Sequence, residues 1–547
     1  MTWQMANVWE SIAAAIPDKP AIVDGDKRYS WSEYENRAAR VAQILTDHGI
    51  KAGAKLSIYA YNSAEYMETQ FGAFKARVCP VNVNYRYLEA ELTHVITNSD
   101  SEAVVYQAQF APRLAAIRES LSNVKLFLEI DDGSGEHLDG SVPYEATLQQ
   151  TKPMPAIERS DDDLYMLYTG GTTGMPKGVM YDHQTFASAL FAKGFEMREM
   201  DLPTQASEFG PLVQKLHEAG MAGRSIPACP IMHGTGMWIG AMIPHSLGGC
   251  VILFDNKHFD PAALWELVER EKVTDLTIVG DVFAKPLLAV LDDAKAAGKN
   301  YDLSSLQMMG SSGVMWSTEV KRGLLGHINQ MAIVDSMGST EGSMGSSITT
   351  LENIDVDKTA KFEMNETTKI LTEDGTPVAP GSGDIGLICN GGMVPLGYYK
   401  DEKKSAETFK TFDGTRYSIP GDFATVEADG TITLLGRGSI CINSGGEKIF
   451  PEEVEEALKT HDSVYDCLVV GVPDDRFGER VTAVLSTADG HDLNEDELND
   501  HVRSQLAAYK SPKSIVRVDQ VPRAANGKAG YKEAKEIAVK AVSLEMA

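Results

Sequence analysis

No two cysteines of this chain stand in C-x-x-C spacing. The six present, Cys79, Cys229, Cys250, Cys389, Cys441 and Cys467, are scattered through 547 residues. That excludes a zinc knuckle, a thioredoxin-type dithiol and a disulfide-stapled scaffold, and reads as reduced, mostly buried thiols. Long apolar runs are missing too: no stretch approaches the roughly 18 apolar residues a membrane-spanning helix needs, and Met1 to Glu10 has no basic leader ahead of an apolar run. The expectation is a cytoplasmic protein with no integral membrane segment. Basic residues are in short supply, 50 Lys and Arg against 78 Asp and Glu, for a net charge of −28. Such a field repels nucleic-acid phosphates, so no nucleic-acid partner is expected. G-x-S-x-G, H-E-x-x-H and EF-hand loops are absent, which removes the usual hydrolase, zinc-protease and calcium readings.

What is there is ordinary globular material, 43% hydrophobic and 23% charged, enough chain for several domains or one large composite enzyme. Ser30 and Glu33 have capping-box spacing, and Tyr34, Ala38, Val41, Ala42 and Leu45 form one apolar stripe, which predicts a helix from Ser30 to Asp47 stopped by Gly49. Short apolar runs at Leu56–Ala60, Ala103–Tyr106, Val251–Phe254, Leu276–Val279 and Met331–Val334 alternate with helical patterns such as Pro261–Glu271 and Thr318–Leu325. That is the rhythm of βα units, and it predicts an α/β fold with largely parallel sheets. From about Lys369 the pattern turns to short strands with turns at Asp374-Gly375, Asp413-Gly414 and Asp429-Gly430, a smaller β-rich part. Pro451, followed by Glu452, Glu453, Glu455 and Glu456, starts a helix with acids at its positive end, so a new small domain begins just upstream. Residues 452–500 carry a net −12, whereas residues 501–540 carry nine basic and three acidic side chains, a net +6. A basic end in an acidic protein is either a solvated face or a seat for a phosphate-bearing small ligand.

The strongest local signal is Tyr168-Thr-Gly-Gly-Thr-Thr-Gly-Met-Pro-Lys177-Gly178, directly after the apolar run Leu164–Leu167. Its glycines free the backbone to turn N–H groups toward an anion, the threonines add hydroxyl donors, and Lys177 adds a mobile positive charge. A polyphosphate fits such a loop. It is not a Walker A loop, because Pro176 precedes Lys177 and Gly178 follows it, so a P-loop kinase or GTPase is disfavoured. Gly381-Ser-Gly383-Asp-Ile-Gly386 spells G-x-G-x-x-G but precedes a strand-like Leu387–Cys389 instead of linking strand to helix, and carries no dinucleotide site.

Tyr168 to Gly178 resembles the signature loop of the adenylate-forming superfamily, which includes acyl-CoA synthetases, peptide-synthetase adenylation domains and luciferases. The superfamily's other motifs follow in order. Ser336-Met-Gly-Ser-Thr-Glu341 resembles its aromatic-Gly-x-Thr-Glu, Tyr417-Ser-Ile-Pro-Gly421-Asp422 its Tyr-x-x-Gly-Asp, and Gly436-Arg437 its Gly-Arg. Ser444-Gly445-Gly446-Glu447-Lys-Ile-Phe-Pro451 resembles the glycine turn before its small domain, and Pro522-Arg-Ala-Ala-Asn-Gly527-Lys528 its terminal Pro-x-x-x-x-Gly-Lys. The resemblance covers roughly residues 10 to 535. It implies a large N-terminal domain of βα-layered sheets over 1–437, including the β-rich subdomain at about 369–437, and a small mobile α+β domain over 438–547 carrying Lys528.

The resemblance also assigns roles. Thr169, Gly170, Gly171, Thr172, Thr173, Gly174 and Lys177 cradle ATP phosphates, and Thr340 contacts the α-phosphate. Glu341 is the implied Mg²⁺ ligand, as a hard cation prefers carboxylate oxygen. Asp422 and Arg437 meet the ribose. The turn Gly310-Ser311-Ser312-Gly313 forms one adenine wall, with Asp335, Ser336, Met337 and Gly338 opposite. Lys528 bridges the carboxylate and the α-phosphate during adenylation, which gives the basic segment around it a purpose. His233, Met237 and Trp238, with Gly313, mark the acyl pocket. Gly445, Gly446 and Glu447 serve CoA in the second half-reaction, after the small domain turns about a hinge. Two positions depart from the pattern: the hinge, usually Asp or Lys, is Ser439, and the aromatic that stacks on adenine is replaced by Met337.

The implied activity is ATP-dependent, AMP-forming ligation of an apolar carboxylic acid to CoA. Gly436 to Lys448, Gly397-Tyr-Tyr-Lys-Asp-Glu-Lys-Lys, Asn82-Val-Asn-Tyr-Arg-Tyr and the extra length between Phe195 and Pro227 are similar to bacterial ligases of fatty acids and steroid side-chain acids. An acyl-AMP ligase feeding a carrier protein and an aryl-acid CoA ligase stay open as alternatives, and homodimers are common in the resembled family.

Overall fold

The structure, a computed structural model, describes all residues except 1–2, 170–174, 255–257, 314–315, 355–361, 365, 373–374, 413, 438–439, 445–446, 475–477, 489–490, 492, 507, 525–526 and 546–547, and except the side chains of 436, 437, 443, 447, 448, 544 and 545. The chain divides into two compact units, Met1–Asp357 with Gly392–Lys410, and Lys358–Gly391 with Thr411–Ala547.

The first unit is built on parallel βα layers. One sheet includes, in spatial order, Gly342–Thr349, Ala332–Ser339, Met308–Ser312, Asp275–Ile278, Arg224–Pro227, Cys250–Leu253, Pro20–Asp24 and Lys27–Ser30. From Ala332–Ser339 to Pro20–Asp24 every pairing is parallel. Helices Pro261–Glu271, Gly280–Ala296 and Thr318–His327 cover one face, burying Leu264, Trp265, Leu287 and Leu324 against Leu276, Met309 and Ile333. Central strands covered on both faces read as unbroken apolar runs, which is why Leu276–Val279 and Val251–Phe254 stood out. Helix Pro261–Glu271 begins where the pattern predicts: Asp260 accepts from the Ala262 and Ala263 amides at 2.9 and 3.0 Å, and Pro261 sits where no N–H is needed.

A second parallel sheet runs Cys79–Asn82, Lys55–Tyr59, Ser101–Gln107, Leu126–Ile130 and Val142–Pro143. Helix Trp31–Asp47 carries the capping box expected from Ser30 and Glu33. It packs on helix Ala64–Lys75, every residue of which is buried. Charges inside that helix are therefore paired: Glu68 takes a 2.6 Å bond from Arg37 and one from the Tyr144 hydroxyl at 3.0 Å, and Lys75 meets Glu10 and Glu35. The stretch between Phe195 and Pro227 folds as helix Phe209–Glu218, which lies on the N-terminal helix Met5–Ala15 through Gly210 N–H to Ser11 Oγ, 3.2 Å, and Gln214 to the Ala15 carbonyl, 2.9 Å.

The second unit holds an antiparallel sheet with strands Thr368–Leu371, Gly386–Asn390, Thr415–Ser418, Asp422–Val426 and Ile432–Arg437, the β-rich texture read from about Lys369. It also holds the long hairpin Val464–Asp474 and Gly478–Thr487, whose second strand pairs with both Ile442–Ser444 and Ser514–Arg517. Val464–Asp474 is buried on both faces. Cys467 and Val469 pack with Val454 and Leu458 of helix Pro451–Lys459, while Leu468, Val470 and Val472 pack with Ala534, Ala538 and Val542 of helix Tyr531–Glu545.

All six cysteines are free thiols, five of them buried. Burial pushes the Cys79 and Cys229 thiols up to about 12. No helix among the described residues is long and apolar enough to cross a membrane.

Candidate active site

The glycine-rich segment closes an antiparallel hairpin between strands Leu164–Thr169 and Lys177–Asp182, with Thr169 opposite Lys177 and Tyr168 opposite Gly178. Gly170, Gly171, Thr172, Thr173 and Gly174 lie outside the described residues, so the loop is defined here by its two stems. Gly178 admits no side chain: a Cβ there would sit 2.7 Å from both Met166 Sδ and the Tyr168 ring. Asn82, at the end of its parallel strand, clamps the stem by accepting from the Tyr168 amide at 2.6 Å and donating to the Tyr168 carbonyl at 2.8 Å. The same side-chain amide donates to the Met232 carbonyl at 2.8 Å, placing the loop beside the segment that carries His233.

Lys177 leads from the loop into a chain of contacts. Its ammonium meets Asp401 at 2.5 Å and stands 5.6 Å from the centre of the Tyr398 ring. The Tyr398 hydroxyl donates to Glu341 Oε1 at 2.8 Å, both groups being buried. Thr340 and Glu341 form the tight turn between strands Ala332–Ser339 and Gly342–Thr349. The turn is fixed by Tyr181, whose hydroxyl donates to the Thr340 carbonyl at 2.7 Å, and by the Ser339 hydroxyl, which accepts the Glu341 amide at 3.2 Å. Lys177, Thr340 and Glu341, predicted from separate motifs, are thus brought together by two tyrosines that sequence reasoning passed over. Tyr398 stood in Gly397-Tyr-Tyr-Lys-Asp, which gave only a general likeness, because no local spacing says that its hydroxyl reaches Glu341.

Ser311 and Ser312 pair in register with Asp335 and Ser336 at the carboxyl ends of parallel strands, the edge where open α/β sheets bind ligands. The expectation of a turn over Gly310–Gly313 needs correction. Gly310, Ser311 and Ser312 belong to strand Met308–Ser312, and only Gly313 turns, at φ 92°. The parallel ladders to Asp275–Ile278 and Ala332–Ser339 supply the backbone partners that a Gly/Ser pattern normally seeks in a turn. Ser311 Oγ accepts the Gly280 amide at 2.9 Å. The Asp335 carboxylate takes a 2.9 Å bond from buried Lys321, so its charge is committed inside the wall and not at its lip. Burial lifts the Asp335 carboxyl above its ordinary value, against the pull of Lys321. Met337 is nearly buried, and a Cβ on Gly338 would come within 3.0 Å of the Gly342 carbonyl.

His233 precedes a π-helical stretch, Thr235–Met242, that carries Met237 and Trp238. Gly236 is required there, since a Cβ would lie 2.5 Å from the Pro230 carbonyl. Trp238 donates to the Tyr165 hydroxyl at 2.8 Å and packs edge-on to Phe186 at 5.2 Å, in an aromatic cluster with Tyr181. Met237 and Trp238 are core residues that form the floor of this region, whereas His233 is partly exposed. Also in the first unit, a cavity of about 390 Å³ is lined by Tyr61, Tyr85, Arg86, Gln109, Phe110 and Arg113.

In the second unit Asp422 stands opposite Arg437 on adjacent antiparallel strands, so the two residues assigned to the ribose are cross-strand neighbours; the Arg437 side chain lies outside the described residues. Gly421, just before Asp422, needs its φ of 101°. Ser439, Gly445 and Gly446 also lie outside the described residues, and Glu447 is placed by its backbone alone, paired with Ser444. Lys528 is exposed on a short loop after Gly527, whose φ is 74°. No cluster of three acidic, His or Cys side chains suited to a metal occurs among the described residues.

A glycine-rich hairpin, a buried carboxylate linked to its lysine through Tyr398 and a ligand edge of parallel strands are features that an enzyme handling a nucleotide requires. Residues 9–399 match the AMP-binding enzyme family and residues 453–528 the AMP-binding enzyme C-terminal domain. The chain belongs to the AMP-binding enzymes, in the acyl-CoA synthetase branch of the adenylate-forming superfamily. It is 40% identical, over 98% of its length and 97% of the relative's, to a medium/long-chain-fatty-acid–CoA/3-oxocholest-4-en-26-oate–CoA ligase of Mycolicibacterium smegmatis. It is 39% identical, over 98% and 96% of the two chains, to a 3-oxocholest-4-en-26-oate–CoA ligase of Rhodococcus rhodochrous. Its fold resembles that of the anthranilate CoA ligase AuaEII in complex with anthranoyl-AMP, with a TM-score of 0.84, 21% identity and coverage of 99% and 98% of the two chains.

Proposed function

We propose that this protein activates an apolar carboxylic acid, a medium- or long-chain fatty acid or a steroid side-chain acid, as its adenylate and transfers the acyl group to CoA. In the first half-reaction a carboxylate oxygen attacks the α-phosphorus of ATP and the bond to the β-phosphate oxygen breaks, releasing pyrophosphate. In the second the CoA sulfur attacks the acyl carbon and AMP leaves. The observation that carries the reading is Glu341, buried and held by Tyr398, whose ring centre stands 5.6 Å from the ammonium of Lys177 at the stem of the glycine-rich hairpin.

One oxygen of Glu341 accepts from Tyr398, and the other would serve a hard cation; with no group of three His, Cys, Asp or Glu side chains suited to a metal among the described residues, Mg²⁺ would take further ligands from phosphate oxygens and water. That ion would neutralise part of the phosphate charge. Lys177 adds cationic charge at the β- and γ-phosphates, and Thr340, braced by Tyr181, faces the α-phosphate. Lys528 bridges the two anions that must meet in adenylation. Asp422 and Arg437 hold the ribose. The cavity at Tyr61, Tyr85 and Phe110, with the exposed guanidinium of Arg86, suits the nucleotide end of CoA, offering aromatic faces to a base and positive charge to phosphate. The two half-reactions use different parts of segment 438–547: Lys528 serves the first, and Gly445, Gly446 and Glu447 the second, with Ser439 as the hinge. The acid preference rests on the relatives, one named for medium- and long-chain fatty acids together with a steroid acid and the other for the steroid acid.

The test is pyrophosphate release from ATP and Mg²⁺ with octanoate, palmitate, 3-oxocholest-4-en-26-oate and benzoate, each with and without CoA. Turnover with one of the first three acids only when CoA is present is expected. Pyrophosphate formed without CoA dependence would favour a carrier-protein acceptor, and turnover confined to benzoate an aryl-acid ligase.

A further inference from the structure

The loop that presents Lys528 has no regular structure of its own, yet its backbone is closed at several points. Arg523 and Ala529 form an isolated antiparallel bridge, the Ala524 amide donates to the Lys528 carbonyl at 2.8 Å, and the Gly527 amide donates to the Ala524 carbonyl at 2.9 Å. These bonds define a small ring. Val521 and Ala529 pack its ends against the core of the unit, and among the described residues the Arg523 side chain adds a charged tie. The Arg523 guanidinium donates through Nε and Nη2 to both oxygens of Asp466, at 2.5 and 2.7 Å, and through Nη1 to the Gly527 carbonyl at 3.0 Å. Asp466 lies in strand Val464–Asp474, which pairs along its length with Gly478–Thr487 and packs against helices on both faces, so a rigid element is joined to the peptide oxygen immediately before Lys528.

The pair is set in a screened environment. Only 12% of the Arg523 and 20% of the Asp466 side chain is exposed, and Lys459 Nζ stands 3.3 Å from Asp466 Oδ1. Burial acts to raise the Asp466 carboxyl, but the bonds from Arg523 and the charge of Lys459 outweigh it and hold the group below the usual range. Glu455, whose carboxyl accepts the Val469 amide at 2.9 Å and is pushed up by burial against the pull of Lys459 and Arg523, is a second acid in this group. Only a planar fork with five N–H groups reaches both carboxylate oxygens and a third acceptor at once; an ammonium does not.

We propose that Arg523, locked by Asp466, is the positioning residue for Lys528, holding the loop so that the ammonium arrives at the adenylation centre already oriented. This rests on the role of Lys528 under the proposed function. Because Lys528 serves only the first half-reaction, loosening its loop lowers adenylation and spares thioester formation.

The test compares wild type with Arg523→Lys and Asp466→Asn, reading pyrophosphate release with the acid that wild type prefers, CoA-dependent consumption of the preformed acyl-adenylate, and amide hydrogen exchange over residues 521–530. Arg523→Lys keeps the charge beside Asp466 and serves as the variant that folds. A displacement of about 1 Å at a reacting centre lowers rates by about a hundredfold. Adenylation is therefore expected to fall roughly ten- to a hundredfold in both variants, with faster exchange at Gly527 and Lys528, while thioester formation stays within about threefold. Equal loss of both half-reactions, or unchanged exchange with unchanged adenylation, overturns the assignment. A wild-type protein that releases no pyrophosphate with any acid overturns the proposed function instead, and the exchange comparison then decides the anchoring by itself.

Discussion

Glu341 shows how the proposed role of a single carboxylate depends on the group that holds it. Left to itself it would choose among rotamers; the Tyr398 hydroxyl at 2.8 Å fixes one oxygen and leaves the other directed for use. Tyr398→Phe removes that bond and keeps the ring. Adenylation is expected to slow about tenfold, equivalent to about 1.4 kcal/mol, most strongly at limiting Mg²⁺. Wild-type rates across a Mg²⁺ titration of the variant would remove this role from Tyr398. For Lys528, replacement by Ala should abolish pyrophosphate release while a preformed acyl-adenylate is still converted to thioester. Loss of both half-reactions together would count against the assigned role. The motif residues were legible at this scale because each sits in a dense local pattern. The two tyrosines, Asp401 and Asn82 were not, because their partners are remote in sequence.

Among the elements, helices Trp31–Asp47 and Ala64–Lys75 approach so closely that a Cβ on Gly72 would lie 2.7 Å from Val41 Cβ and 2.8 Å from the Ala38 carbonyl. The helix Ala64–Lys75 is the buried support of the second parallel sheet, whose strand Cys79–Asn82 ends in the clamp on the hairpin stem. Gly72→Ala is therefore expected to lose about 1–3 kcal/mol of stability in urea unfolding, with an unchanged m-value. A loss below about 0.5 kcal/mol would mean that the helices separate freely. Most elements followed from periodicity, as with the capping box at Ser30 and the Pro-started helices at Pro261 and Pro451. Strand Met308–Ser312 did not, because small residues favour turns until neighbouring strands claim their backbone groups.

At the level of the whole molecule, acid sensitivity follows from two histidines in the first unit. Burial lowers His183 to about 3 and His245 to about 4, from an ordinary 6.5. Each is neutral in the fold: His183 Nδ1 accepts the Met5 amide at 3.1 Å, and His245 meets the Ala21 carbonyl at 3.1 Å among Trp9, Trp31 and Tyr34. The unfolded chain protonates these groups below about 6.5 while the folded one does not, so their stabilisation is full above that pH and lost as pH falls toward 4. Each unit of pH in that window removes up to about 1.4 kcal/mol per histidine. Tm measured from pH 7.5 to 4.5 should decline from about pH 6.5 downward; a flat profile to pH 5 would contradict this account. Asp466 adds to the loss only below the ordinary carboxylate range, since its folded pKa is depressed.

The sequence by itself determined the family and the α/β layering, and it singled out the glycine-rich loop, Glu341 and Lys528 as candidates, since each of these three stands in a short pattern of neighbouring residues. Tertiary structure alone decided what holds those residues. Tyr398 lies 57 positions from Glu341, Asp401 224 from Lys177, and Arg523 57 from Asp466. Such pairings arise from how strands stack and loops close, and no local spacing encodes them.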